Sequence, residues 1–164
     1  MKPFSIKPLN SFQIIVLGFA GVILAGALLL MLPVSSATHC VTPFLSALFT
    51  STTSVCVTGL IVVDTGTYWS VFGQAVILVL IQIGGMGVVT VAAAVTIVSG
   101  RKIGLMQRST MQEAVAAPKM SGIVRLTGFI IRATLLIELS GAALLAPVFC
   151  RDFGPIRGLW MAVF

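Results

Sequence analysis

Residues 42–63, TPFLSALFTSTTSVCVTGLIVV, hold no charged side chain and match the length of about 20 residues that a bilayer-crossing helix needs. Whether this stretch crosses or turns back decides the topology of everything around it. Lys2 and Lys7 precede it, while Arg101, Lys102, Arg108, Lys119 and Arg125 follow it, and no Lys or Arg occurs from Pro8 to Gly100. Two other stretches flank it as candidate spans: Ser11 to Leu32, whose 22 residues reach about 33 Å as a helix, and Trp69 to Val98. If residues 42–63 crossed as well, the two basic regions would fall on opposite faces. If they dip in and return, both are cytoplasmic, which the positive-inside rule prefers. The expected topology is span, re-entrant segment entered from outside, span, with the N-terminus in the cytoplasm.

Composition agrees with lipid as the solvent. Of 164 residues, 58% are hydrophobic and 9% are charged, against about 25% charged in an ordinary soluble domain. The net charge of +6 carries no dense basic run, so nucleic acid is not an expected partner. Cys40, Cys56 and Cys150 are widely spaced and make no metal-ligand pattern with the lone His39. The first apolar stretch exceeds a signal-peptide core and reads as a retained anchor. A third span, Leu126 to Val148, encloses Arg132 and Glu138. Arg132 lies seven residues in from Arg125, within reach of the cytoplasmic surface by snorkelling. Glu138 is deeper and needs a partner or a wet cavity, as a functional group or as a structural hydrogen bond to a neighbouring repeat.

The hydroxyls of Ser46, Thr50, Ser51, Thr52, Thr53, Ser54 and Thr58 suit a half-helix buried in protein better than one facing lipid. Thr42 is the expected N-cap with Pro43 at the first helical position, and the half-helix runs inward from about Pro43 to Thr53. Val55 to Gly59 then returns as extended backbone. A helix aimed inward brings its negative end toward the membrane centre, where it and free carbonyls favour a dehydrated cation. The backbone carbonyls of Cys56, Val57, Thr58 and Gly59 are therefore the candidate ion ligands, with Gly59 free to adopt a positive φ. One such strand is only part of a ring.

The chain also repeats itself at an offset of 115 residues. Gly26-Ala27 and Leu29-Leu30 recur as Gly141-Ala142 and Leu144-Leu145, with Pro33 and Pro147 following, and Ala47-Leu48-Phe49 recurs as Ala162-Val163-Phe164. Residues 1–100 read as one membrane-pore-membrane unit, with spans at about 11–32 and 69–98 and the pore helix and filter at about 43–60. Residues 101–124 read as a cytoplasmic loop, and 125–164 as the start of a second unit with its span at about 126–148. The fold class is all-α integral membrane, like a potassium channel. The chain is expected to be a fragment of a longer pore.

Over essentially its whole length the chain resembles the membrane subunit of the Ktr and Trk potassium-uptake systems, related to the plant HKT transporters. The resemblance rests on Ala47 to Thr50 and Ser54 to Leu60, then Asp64-Thr65-Gly66, Phe72-Gly73-Gln74 and Leu80 to Gly87. It implies potassium uptake through four such repeats around one pathway, Gly59 as the potassium-type filter residue, and the Ktr rather than the Trk type. It further implies remaining repeats or other copies, a homodimer and a cytoplasmic nucleotide-binding regulatory ring as partners, with K+ as cargo and no organic cofactor.

Other readings weigh less. Asp64-Thr65-Gly66 has the form of an aspartic-protease motif, but those enzymes need a β-rich soluble body and a second carboxylate; a turn on the outer face, with Asp64 adding negative potential near the entrance, is the plainer reading. Gly85-Met86-Gly87 lacks the rest of a nucleotide fingerprint and reads as a helix-packing site. No catalysis is expected. The rival from another class is an accessory membrane protein without a conduction path, and an intramembrane protease lacks a second aspartate within a span.

Overall fold

The computed structural model of the chain describes residues 11–87, Thr90 and 123–164. The expected far end of the second span and the loop at 101–122 lie outside these residues. Among the described residues there is no strand, and the elements are helices: α1 (Ser11–Met31), a 3-10 turn (Pro33–Ser35), α2 (Phe44–Val55), α3 (Thr65–Tyr68), α4 (Val71–Met86), α5 (Ile123–Phe153) and α6 (Pro155–Val163).

Two helical stretches, Gln13–Met31 and Gly128–Phe153, are long and apolar enough to cross a membrane. Both turn large apolar side chains outward, among them Leu17, Leu24 and Leu28 on α1 and Phe129, Leu136 and Leu144 on α5. In lipid, burying further leucine gains little, so the helices must be held by close approach and by polar groups. Both devices are present. Glycine allows close approach between these elements: Gly26 of α1 faces the Ser51 hydroxyl and the Leu80 side chain, while Gly73 of α4 rests on the Ser35 backbone carbonyl and Gly84 of α4 on that of Val55. A small buried core of Leu30, Ala47, Val55, Trp69, Ile77 and Leu80 joins the three elements.

The end of α1 is stapled to the start of α4. Leu32 is extended before Pro33, the conformation that proline favours in the residue before it, and this stops the helix. Ser35 Oγ then donates to the Leu29 carbonyl at 2.6 Å, which also accepts from Leu32 N at 3.3 Å, and Ser70 Oγ, the N-cap of α4, donates to the Val34 carbonyl at 2.5 Å. Backbone bonds from Ser70 N to Ser35 O and from Ala37 N to Tyr68 O, both 2.9 Å, complete the staple.

From this level α2 and α4 run down α1 together. At 12 residues α2 is about 18 Å long, too short to cross a bilayer, while α1 is about 31 Å. Ser51 Oγ donates to the Ile23 carbonyl at 2.7 Å, eight residues before the end of α1. The end of α2 at Val55 is level with Gly84, and the chain is back at the first turns of α4 by Thr65 and Gly66, whose carbonyls accept from Gln74 Nε2 at 3.5 and 3.3 Å. The chain thus descends about half of α1 and returns.

Three expectations change in detail. Thr42 does not cap α2: its hydroxyl accepts from Tyr68 OH at 3.3 Å, and Pro43, with ψ 139°, stands outside the helix as the cap residue. The return after Val55 is not simply extended, since Cys56 is right-handed helical and Val57 has φ 52°. The third span does not stop at Val148, because α5 continues through Pro147 to Phe153. An interior proline removes one backbone bond without ending the helix here, and Gly154, at φ 82°, turns the chain into α6. Gly158 of α6 then packs on the backbone of Cys150, closing α5 and α6 into a hairpin. Helix α4 ends at Met86, with Gly87 at φ 82°, inside the glycine-rich run.

Candidate functional site

Four consecutive hydroxyls at the end of α2 have four separate destinations. Ser51 bonds α1, as above. Thr52 and Ser54 donate back to the carbonyls of Leu48 and Thr50, each at 2.7 Å, the usual resting place of a mid-helix hydroxyl. Thr53 alone turns to the segment that follows: its Oγ1 lies 2.6 Å from Thr58 Oγ1 and accepts from Leu60 N at 2.9 Å.

The backbone at this point closes α2 with a Schellman motif. Thr58 N donates to the Thr53 carbonyl at 3.0 Å, and Val57 N donates to the Ser54 carbonyl at 3.3 Å. Such a motif requires a left-handed residue, usually glycine, at the position that Val57 occupies with φ 52°. A β-branched residue there is strained by about 1–3 kcal/mol. The apolar contact that commonly accompanies the motif is here the hydroxyl pair of Thr53 and Thr58. Two residues on, Gly59 is again left-handed, at φ 73°.

Among the described residues, the carbonyl oxygens of Cys56, Val57, Thr58 and Gly59 accept no hydrogen bond. They follow the negative end of α2 directly. The segment borders a cavity of about 290 Å³, whose wall includes Thr50, Thr53 and Ser54 of α2, Val57 and Gly59 of the return, and Ile77 and Ile81 of α4. Phe164 closes it from the end of α6. Among the described residues no three metal-ligating side chains come together, so oxygen ligands for a cation here are backbone carbonyls and hydroxyls. Unpaired carbonyls next to a helix C-terminus suit a hard monovalent cation stripped of water.

The other candidates fall elsewhere. Asp64 is not a free carboxylate: Oδ1 accepts from Gly66 N at 3.1 Å and Oδ2 from Thr67 Oγ1 at 2.8 Å, so it caps α3. Glu138 does not reach the carbonyl segment. It lines a neighbouring cavity of about 390 Å³ with Gln82, Leu135 and Leu139, which shares Ile81 and Phe164 with the first. Arg132 is exposed on α5 and lines neither cavity.

Two contributors were not singled out from sequence. One is Thr53, which lies inside the hydroxyl run. The other is Gln74, 4% exposed, which donates to the loop carbonyls of Thr65 and Gly66 while its Oε1 accepts from Trp160 Nε1 of α6 at 2.6 Å. Gln74 belonged to a quoted motif, but its partner is 86 residues away.

Residues 5–159 match the TrkH family, described as cation transport protein. The chain is 37% identical over 164 residues, its whole length, to the potassium/sodium uptake protein NtpJ of Enterococcus hirae, covering 36% of that protein. It is 41% identical over 152 residues, 93% of the chain, to the Ktr system potassium uptake protein B of Bacillus subtilis, covering 34% of it. To the Ktr system potassium uptake protein B of Vibrio alginolyticus it is 35% identical over 152 residues, 93% of the chain and 33% of that protein. The chain spans about a third of the length of these curated relatives.

Proposed function

This chain belongs to the TrkH family of cation transport proteins, and from that premise we propose that it forms one filter, and part of the next repeat, of a four-repeat pore for potassium uptake in the cell membrane. Membership makes it part of a transporter rather than an enzyme. The observation that carries the reading is the run of four unpaired carbonyls, Cys56 to Gly59, held by two left-handed residues at the end of a half-length helix. The names of the relatives, which speak of potassium or potassium and sodium uptake, support the choice of ion.

The division into repeats follows the same reading: residues 1–100 as the first, 101–124 as a cytoplasmic loop and 125–164 as the opening of the second. Two features support it. His39 and Gly154, which stand 115 residues apart, both have positive φ, at 55° and 82°. Ala47 and Ala162, at the same offset, are both buried. The remaining repeats, or other copies, would complete the ring, and the bilayer, a homodimer partner and a cytoplasmic nucleotide-binding regulatory ring are the proposed partners.

Gly59→Ser is the test of the filter. The added Cβ meets nothing within 4 Å in this chain, but φ 73° costs a residue with a side chain about 1–2 kcal/mol. With equal membrane amounts of full-length transporter, the variant should fold and lose preference for potassium over sodium. An unchanged uptake ratio means that this segment is not the filter.

Topology is tested separately. Single cysteines at positions 2, 64 and 108 in a cysteine-free background should react with an impermeant thiol reagent from outside only at 64. Labelling at 108 with protection at 64 would refute a segment that enters and leaves from outside, and labelling at 2 would refute the cytoplasmic N-terminus.

A further inference from the structure

The segment from Val57 to Leu60 has little to hold it. Its carbonyls are unpaired, it lies on the surface of this chain, and its two left-handed residues would relax if released. Val57 N is tied to the Ser54 carbonyl at 3.3 Å; from Thr58 onward, what holds the segment among the described residues is Thr53 of α2. The Thr53 carbonyl accepts from Thr58 N at 3.0 Å and, at 3.4 Å, from Thr58 Oγ1. The Thr53 hydroxyl accepts from Leu60 N at 2.9 Å and donates to Thr58 Oγ1 at 2.6 Å. With that assignment every hydroxyl hydrogen in the group has an acceptor. The bonds fall on both sides of Gly59, on residues 58 and 60, so Gly59 is suspended between two anchors on a rigid helix.

We propose that Thr53 is a positioning residue for ion selectivity, its hydroxyl fixing the spacing of the carbonyls on either side of Gly59. This rests on the reading of Cys56 to Gly59 as the filter. A carbonyl ring distinguishes two cations of equal charge by the number, separation and stiffness of its oxygens. Among the described residues, the only hydrogen bond to the Gly59 peptide groups from outside the segment comes through the Thr53 hydroxyl to Leu60 N, since Thr52 and Ser54 spend theirs inside α2. Removing it leaves the Schellman turn intact, because that turn uses the Thr53 carbonyl. The position of Leu60 is released, and the selectivity of the site goes with it.

The experiment compares Thr53→Val, Thr53→Ser and Thr52→Val in the full-length transporter at equal membrane amounts, measuring potassium and sodium uptake against concentration. Thr53→Val is nearly isosteric and removes only the hydroxyl. It should lower the potassium-to-sodium ratio about tenfold, with the apparent KM for potassium rising more than the maximal rate falls. Thr53→Ser should restore the ratio to within about twofold, since a hydroxyl is all the geometry requires. Thr52→Val, the same change one residue away, should leave it where it was. A merely structural role for Thr53 would reduce both ions' maximal rates together and leave the ratio alone, which overturns the proposal. If Thr53→Val fails to reach the membrane, Thr58→Val removes the other half of the hydroxyl pair and should shift the ratio in the same direction by less; no shift there also overturns it. Gly59→Ser separates the two levels. A changed ratio in Gly59→Ser with none in Thr53→Val sinks the clamp and spares the filter, whereas no change in either sinks the filter itself.

Discussion

Gly59→Asp should abolish potassium uptake while leaving the protein in the membrane. The change imposes the same backbone cost as serine at φ 73°, about 1–2 kcal/mol, which a packed membrane helix bundle can absorb. Its larger effect is electrostatic. A carboxylate beside four unpaired carbonyls and the negative end of α2 would hold a cation too firmly, and conduction requires that an ion leave as readily as it enters. Uptake should fall by at least about 100-fold, the factor set by roughly 3 kcal/mol of added binding, and the defect should persist at saturating potassium. The measurement is initial uptake in cells with equal surface amounts of each variant. Uptake within a few-fold of the unaltered protein would mean that position 59 does not face the ion.

Gly84→Val should destroy the fold, and Gly85→Ala should not. A Cβ built on Gly84 falls inside contact distance of the Val55 carbonyl carbon and oxygen, both backbone atoms that no rotamer change can move. Helix α4 would have to draw away from α2, taking Ile77 and Leu80 out of the core. Forced overpacking of this kind costs roughly 3 kcal/mol or more, and the end of α2, on which the carbonyl segment depends, would move with it. Gly85, one residue on, meets nothing within 4 Å, and alanine there should gain up to about 1 kcal/mol of helix propensity. Thermal denaturation in detergent, read by fluorescence-detected size exclusion, should show loss of the monodisperse peak for Gly84→Val and an equal or higher midpoint for Gly85→Ala. A folded Gly84→Val would show that α2 and α4 do not touch there.

Sequence reasoning reached the path of the chain more surely than its contacts. The absence of Lys and Arg from Pro8 to Gly100 and the hydroxyl run point to a half-helix that turns back; α2 at Phe44–Val55 is a 12-residue helix with Thr65 and Gly66 beside Gln74, a course that supports that reading. Those signals are long runs, which composition registers. The errors arose where one atom decides. Thr42 looked like a cap because it precedes Pro43, but Tyr68, 26 residues later, takes its hydroxyl, and no local pattern announces that. Val57 looked extended because β-branched residues favour strands, yet the Schellman bonds from Thr58 and Val57 hold it left-handed. Gly84 and Gly85 are indistinguishable as letters and opposite as positions. Among the candidate ligands, Cys56 to Gly59 were named for their carbonyls; what fixes those carbonyls, the Thr53 hydroxyl, was one of seven hydroxyls with nothing to mark it out.

The bond between Trp160 and Gln74 breaks a symmetry. Position 45, 115 residues before Trp160, is Leu45, an exposed side chain with no N–H to offer. On the proposed four-repeat reading, the joint between the two units therefore cannot be copied at every quarter of the ring. In a pore assembled from four identical chains, a substitution at one junction is a substitution at all four. In a pore written out as successive repeats of one chain, each junction can drift on its own. Gln74 ties the loop at Thr65 and Gly66 to Trp160 of α6, so in the proposed pore a change at Trp160 alone would loosen one quadrant of the mouth and leave three as they were. Mutational scans of such a protein should accordingly find graded losses at its junctions, where a homotetramer would show all-or-none ones.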